Sequence, residues 1–155
     1  MGRRKKVYTR HYEPDFKYSN VQVGRFINYI MQDGKKTVAS KIVYKAFDII
    51  QDKTKQDPIE IFESAVNKVA PVLEIKSKRV GGATYQVPME VRGNRRMLLA
   101  FRWMLTAAKA RKGRPMAEKL AAEILDIQNG TGSAIKKRDD VQKMAESNRA
   151  FAHFA

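Results

Sequence analysis

Leu73-Glu74-Ile75-Lys76-Ser77-Lys78-Arg79-Val80-Gly81-Gly82-Ala83-Thr84-Tyr85-Gln86-Val87-Pro88-Met89-Glu90 is where the hydrophobic pattern of this chain changes its period. Apolar residues alternate here, with Leu73 and Ile75 before Gly81-Gly82 and Tyr85, Val87 and Met89 after it. Alternation on both sides of two glycines predicts a β-hairpin, placed at about residues 72–91, because a tight turn between strands needs positive φ. Lys76 and Lys78 then share one face, and Arg79 stands beside the turn. A ribbon this small has no core of its own, which predicts that its basic tip, Lys78, Arg79, Val80, Gly81, Gly82 and Ala83, becomes ordered against a partner.

The pattern is helical on both sides of the hairpin. Upstream, a helix is expected from Ser19 or Asn20 to Asp33-Gly34, burying Val23, Phe26, Ile27, Ile30 and Met31. A second spans about residues 37–51, with Val38, Ile42, Ala46 and Ile50 in one row beside Val43 and Phe47. For the third, Asp57 is the cap, Pro58 fits the first turn, Glu60 has the capping-box spacing and Pro71 closes the run Ile61, Phe62, Ala65, Val66, Val69. Downstream, helices are expected over about residues 92–109, 115–128 and 133–150, broken by Gly113 and by Asn129-Gly130-Thr131-Gly132. The fold class is therefore mainly α: six helices in a bundle-like domain at residues 19–155, a projecting two-stranded hairpin, and a basic N-terminal arm and lead-in at residues 1–18. At 43% apolar residues, a chain of 155 has enough to bury for one such domain.

Charge is distributed far less evenly than hydrophobicity. Residues 1–12 carry Arg3, Arg4, Lys5, Lys6 and Arg10 with no acid. Residues 76–114 carry Lys76, Lys78, Arg79, Arg92, Arg95, Arg96, Arg102, Lys109, Arg111, Lys112 and Arg114 against Glu90 alone. These two stretches account for the whole net charge of +15, and the remainder is neutral. A surface built for solubility mixes its signs. One sign gathered in an arm and a block implies a large polyanion, and the usual polyanion is nucleic acid.

The helix following the hairpin divides this charge from the core. At about 100° per residue, Met97, Leu98, Phe101, Met104, Leu105 and Ala108 fall on one side. Arg92, Arg95, Arg96, Arg102 and Lys109 fall on the other with Trp103 among them, and guanidinium forks match phosphate oxygens at two points. Tyr8, Tyr12, Tyr85 and Trp103 interleave with the charges; exposed aromatics stack on unpaired bases, but at least two of these four are expected to be packing residues.

Enzymatic constellations fail individually. Gly34-Lys35-Lys36-Thr37 resembles the end of a phosphate-binding loop, yet the leading glycine would fall on Tyr29. Gly130-Thr131-Gly132 meets Ile135 where a dinucleotide fingerprint has its third glycine. Asp139 and Asp140 are neighbours whose side chains diverge on a helix. No cysteine is present, and His11 and His153 lie at opposite ends, which argues against a metal site. No enzyme, cofactor or small-molecule substrate is implied. The basic start is followed by Val7-Tyr8-Thr9-Arg10-His11 rather than an apolar run, Lys6 occupies the place where a myristoylation motif has Ser or Thr, and no membrane helix is in view. The expectation is a soluble intracellular protein with no membrane partner.

Gly81-Gly82-Ala83-Thr84-Tyr85-Gln86-Val87-Pro88, followed by Glu90-Val91-Arg92 and Arg95-Arg96, resembles the signature segment of the small-subunit ribosomal protein seven family. The likeness covers essentially the whole chain, through Phe26-Ile27-Asn28, Met31, Gly34-Lys35-Lys36, Ala100-Phe101-Arg102-Trp103, Lys136-Lys137-Arg138-Asp139-Asp140, Met144-Ala145-Glu146 and Asn148-Arg149-Ala150-Phe151-Ala152-His153. It is to the bacterial and organellar members. The resemblance implies a helical bundle with a β-ribbon, bound to the 3′ major domain of 16S-type rRNA in the head of the small subunit, where it nucleates head assembly. It implies a tip at residues 78–83 near exit-site tRNA and the mRNA exit path, an rRNA-facing helix through Arg92, Arg95, Arg96 and Arg102, and an rRNA-contacting loop at Lys35-Lys36. Ribosomal proteins eleven and nine are the implied protein partners, the cytoplasm or an organelle the implied location, and some bacterial members also repress their own operon. Many members continue past the final His with an aromatic-Arg-Trp ending where this sequence has Phe154-Ala155, which predicts a reduced contact with protein eleven. Phe16 stands where members commonly have Pro.

Read without the resemblance, a basic helix after a ribbon also suits a DNA-binding regulator, although no heptad for a dimer is present.

Overall fold

A computed structural model describes residues 11–154. The basic arm residues Arg3, Arg4, Lys5, Lys6 and Arg10, and Tyr8, lie outside the described residues. In chain order the elements are α1 (Val21–Ile30), α2 (Lys36–Thr54), α3 (Pro58–Val69), β1 (Leu73–Val80), β2 (Ala83–Glu90), α4 (Gly93–Ala110), α5 (Met116–Gln128), α6 (Ser133–Ser147) and a terminal 3-10 helix, Arg149–Phe154. The mainly helical fold class with one antiparallel hairpin is what the sequence predicts.

The helix starts have local causes. Asn20 Oδ1 accepts from the backbone N–H groups of Gln22 and Val23 at 2.8 and 3.3 Å, supplying acceptors that the first turn of α1 lacks. Asp57 does the same for Ile59 at 2.9 Å, with Pro58 as the first residue of α3. Ahead of α1, the buried Asp15 carboxylate accepts from the N–H groups of Lys17 and Tyr18 and from the Tyr44 hydroxyl, so the lead-in is pinned to α2.

Each of the first four helices contributes one fully buried phenylalanine. Phe26 meets Phe62 at 5.0 Å and Phe101 at 5.1 Å between ring centroids, and Phe47 meets Phe62 at 5.5 Å. Tilted aromatic contacts at these separations add to area burial. α5 closes this cluster from α2, α3 and α4 with Leu120, Ala121, Ile124 and Ile127. Several expected core positions differ: Ile42 on α2 and Met97 and Leu98 on α4 are only half-buried. Val38 is exposed and the next residue of α2, Ala39, is buried in the core instead. Met31 is half-buried at the cap of α1 rather than inside it.

The ribbon is paired without interruption from Leu73↔Glu90 to Val80↔Ala83. Gly81 and Gly82 both have positive φ, 57° and 91°, the conformation a two-residue hairpin turn requires and side chains resist. This register sets Lys76 opposite Val87 and Lys78 opposite Tyr85 on one face, and Leu73 and Ile75 on the other. The ribbon is also braced from within the chain. The terminal 3-10 helix packs on β2, with Phe151 and Phe154 at 5.2 and 5.1 Å from the Tyr85 ring, while α6 packs on β1. These contacts supply the support that an isolated hairpin lacks.

Candidate nucleic-acid interface

The ribbon is joined to α4 through Glu74. This carboxylate is buried on β1 and receives both Nε and Nη2 of Arg95 at 2.6 to 2.8 Å. Lys76 stands 3.4 Å from the same carboxylate. The Arg95 hydrogen bonds hold the Glu74 carboxyl below the usual carboxylate range, outweighing burial, which pushes it up; Lys76 adds to the lowering. A backbone bond from Val91 N–H to the Val72 carbonyl closes the same root.

The basic residues of the ribbon and α4 therefore fall into two sets. Arg95 is committed to Glu74, Arg92 to the exposed Glu90, and Arg111 to the fully buried Glu123 and to Asp126. By contrast Arg96, Arg102 and Lys109 on α4, Lys112 and Arg114 after it, and Arg79 at the ribbon tip are exposed, with no ion pair among the described residues. Lys78 is exposed as well, its ammonium donating to the backbone carbonyl of Phe154. Lys35 and Lys36 are exposed at the start of α2, and no hydrogen bond links them to the ribbon or to α4.

Trp103 is half-buried against the core and Tyr85 is packed on the terminal aromatics, so both are packing residues. Tyr12 keeps 40% of its surface and lies against the Arg25 guanidinium, 4.4 Å from ring centroid to guanidinium carbon. Phe16 is fully exposed.

Periodicity alone missed the joint around Arg111. Glu123 accepts its Nε and Nη2 at 2.9 and 2.6 Å and, through the other oxygen, the Ala134 N–H at 3.0 Å. One carboxylate thus joins the end of α4, the middle of α5 and the first turn of α6. The signal was present: Glu123 occupies a helix position in register with Leu120, Ile124 and Ile127, all apolar and buried. A charged residue in that row needs a partner.

Residues 2–149 match the family model described as ribosomal protein S7p/S5e. The chain belongs to that family. It is 59% identical over 152 residues to the small ribosomal subunit protein uS7 of Thermotoga petrophila, covering 98% of both chains. With the proteins of the same name from Thermodesulfovibrio yellowstonii and Desulfatibacillum aliphaticivorans it shares 56% and 52% identity over 154 residues, 99% of each chain. The chain is a small-subunit ribosomal protein, a non-enzymatic part of a ribonucleoprotein, and family membership replaces the DNA-binding regulator weighed from the residues. No helix among the described residues is long and apolar enough to cross a membrane.

Proposed function

We propose that this protein binds the 3′ major domain of small-subunit rRNA and nucleates assembly of the subunit head on cytoplasmic ribosomes. Residues 1–18 act as a basic arm and lead-in to a single helical rRNA-binding domain, 19–155. The observation that carries this reading is the exposed set Arg96, Arg102 and Lys109 on α4, whose opposite side is core and which no carboxylate neutralises among the described residues. Cations left unpaired beside a fixed apolar face are available to phosphates. Lys35, Lys36, Lys112 and Arg114 extend the contact.

The tip at residues 78–83 serves exit-site tRNA and the mRNA exit path rather than the rRNA anchor. Its support is shape: it stands at the far end of a paired ribbon from the root that Glu74 and Arg95 fasten. The terminal 3-10 helix, laid along that ribbon, is the surface for ribosomal protein eleven, and ribosomal protein nine is a further neighbour. Hydroxyl-radical footprinting of the full chain on intact small-subunit rRNA tests the reading. Protection confined to the 3′ major domain is expected, and protection elsewhere, or none, overturns it.

A further inference from the structure

Arg25 is a buried cation with no counter-ion among the described residues. It lies on α1, 6% exposed, and among the described residues it takes part in no ion pair. Its Nη1 donates to Asn94 Oδ1 at 3.1 Å, Tyr12 covers the guanidinium, and its buried Nε has no partner among the described residues. A guanidinium taken out of water without an anion is costly.

The neighbourhood adds positive charge. Asn94 is the second residue of α4, a helix with no side-chain cap at its N-terminus and no acid in its first turn. The N–H groups there carry the positive end of the helix dipole. Arg96 is exposed in that same turn and unpaired among the described residues. Space is available too: Gly93 has nothing within 4 Å of where a side chain would begin, and an open cleft of about 180 Å³ beside it is lined by Gln22, Asn67, Gly93 and Arg96 with the apolar Val66, Ala70 and Met97. Because the Asn94 carboxamide oxygen is taken by Arg25, its Nδ2 is left to donate.

We propose that the N-terminus of α4, with Asn94 and Arg96 in its first turn and Arg25 hydrogen-bonded to Asn94, is a subsite for one phosphodiester group of the bound RNA backbone. The anion supplies what all three features lack: an acceptor for the helix N–H groups, for Asn94 Nδ2 and for the Arg96 fork, and a counter-charge for Arg25. The inference rests on the rRNA-binding reading and names one contact within it.

The test uses the full chain and an rRNA fragment of the 3′ major domain, with affinity measured by filter binding across a salt series. Asn94→Asp places a carboxylate where the phosphate would sit. It should raise the melting temperature by placing a negative charge in the first turn of α4 and neutralising Arg25, yet weaken RNA binding about tenfold more than Gln56→Asp, an exposed control with the same change of charge. Its log-log salt slope should also fall by about one relative to that control. Arg25→Met, which keeps length and packing on Tyr12, should reduce the slope likewise. Slopes and affinities equal to the control overturn the subsite, whereas parent protein that shows no salt-dependent rRNA binding overturns the rRNA reading itself. If Arg25→Met does not fold, Asn94→Asp decides alone. Inorganic phosphate exchanged for chloride at constant ionic strength separates the sources: a slope difference in RNA binding without a phosphate-dependent rise in melting temperature identifies the RNA backbone. A phosphate-dependent rise without a slope difference means an adventitious ion only and overturns the proposal.

Discussion

Arg95 and Arg111 make the same contact in two regions of the molecule and serve different ends. Both fork onto a glutamate, Arg95 at the ribbon root and Arg111 at the joint of α4, α5 and α6. Glu123 at the joint is fully buried and joins three elements through its two oxygens. Glu74 at the root is nearly buried, but the Arg95 side chain that holds it is 55% exposed. Arg111 therefore cannot leave its partners without stranding a charge in the core, while Arg95 faces solvent and can be shared with a phosphate. The basic stretch at residues 76–114 is thus a set of struts, some internal and some accessible, interspersed with cations that no protein group neutralises among the described residues.

The comparison breaks most visibly at the joint. Arg111→Met should destabilise the fold by about 3 to 5 kcal/mol in urea melts, because it leaves the Glu123 carboxylate buried beside Asp126 with no cation. A loss as small as that of an exposed substitution would mean that Glu123 is solvated, and the distinction between joint and root would disappear.

At the root the lever is pH. The folded value of Glu74 is lowered by Arg95, so its contribution is fully present above the unfolded carboxyl range, about 4.3, and is lost as pH falls through the folded value. Amide protection at Lys76 and Val87, taken relative to the intrinsic exchange rate, should hold above about pH 5 and fall below it, before the helical core opens. Glu74→Gln should remove that pH dependence. Exchange at the ribbon that follows the core at every pH would make root and joint one cooperative unit.

These two joints mark the limit of what the sequence disclosed. Element order, the hairpin and its turn, the caps at Asn20 and Asp57, and the two sides of α4 were all readable, because each depends on spacing within one segment. Which charges pair depends on how segments meet. Nothing local distinguishes Arg111, drawn inward to Glu123, from Lys112 beside it, which is exposed. The exposure of Val38 and the docking of Phe151 and Phe154 on Tyr85 were hidden for the same reason: packing between elements decides them. The resemblance identified the family and implied an rRNA-facing helix, yet it could not separate Arg95, held by Glu74, from the exposed Arg96.

The free set gives a smaller effect on folding and a larger one on binding. Arg96→Ala with Arg102→Ala should leave the melting temperature within about 2 °C of the parent, since neither side chain pairs with a carboxylate among the described residues. The salt slope for the rRNA fragment should fall by about two. Leu105→Ala, on the core side of the same helix, should cost about 2 to 5 kcal/mol of stability instead. If the arginine pair unfolds the chain as the leucine change does, α4 does not divide core from contact.

The smallest effect on the fold is expected at the tip, where the free set ends. Arg79 pairs with Thr84 in the ladder, next to the turn, and its side chain is exposed with no ion pair among the described residues. Lys78, three residues before Gly81, is tied to the Phe154 carbonyl and should be kept in any test of the tip. Arg79→Ser retains the turn glycines and the Lys78 contact, so melting and incorporation into small subunits should match the parent. Exit-site tRNA retention or reading-frame maintenance should nevertheless change, because the substitution removes a cation from the part of the ribbon proposed to reach those ligands. Unchanged tRNA occupancy and frame maintenance, with normal assembly, would leave Arg79 a solvated charge. Failed assembly would instead join the tip to the rRNA-binding face proposed for α4 and erase the difference between root and tip.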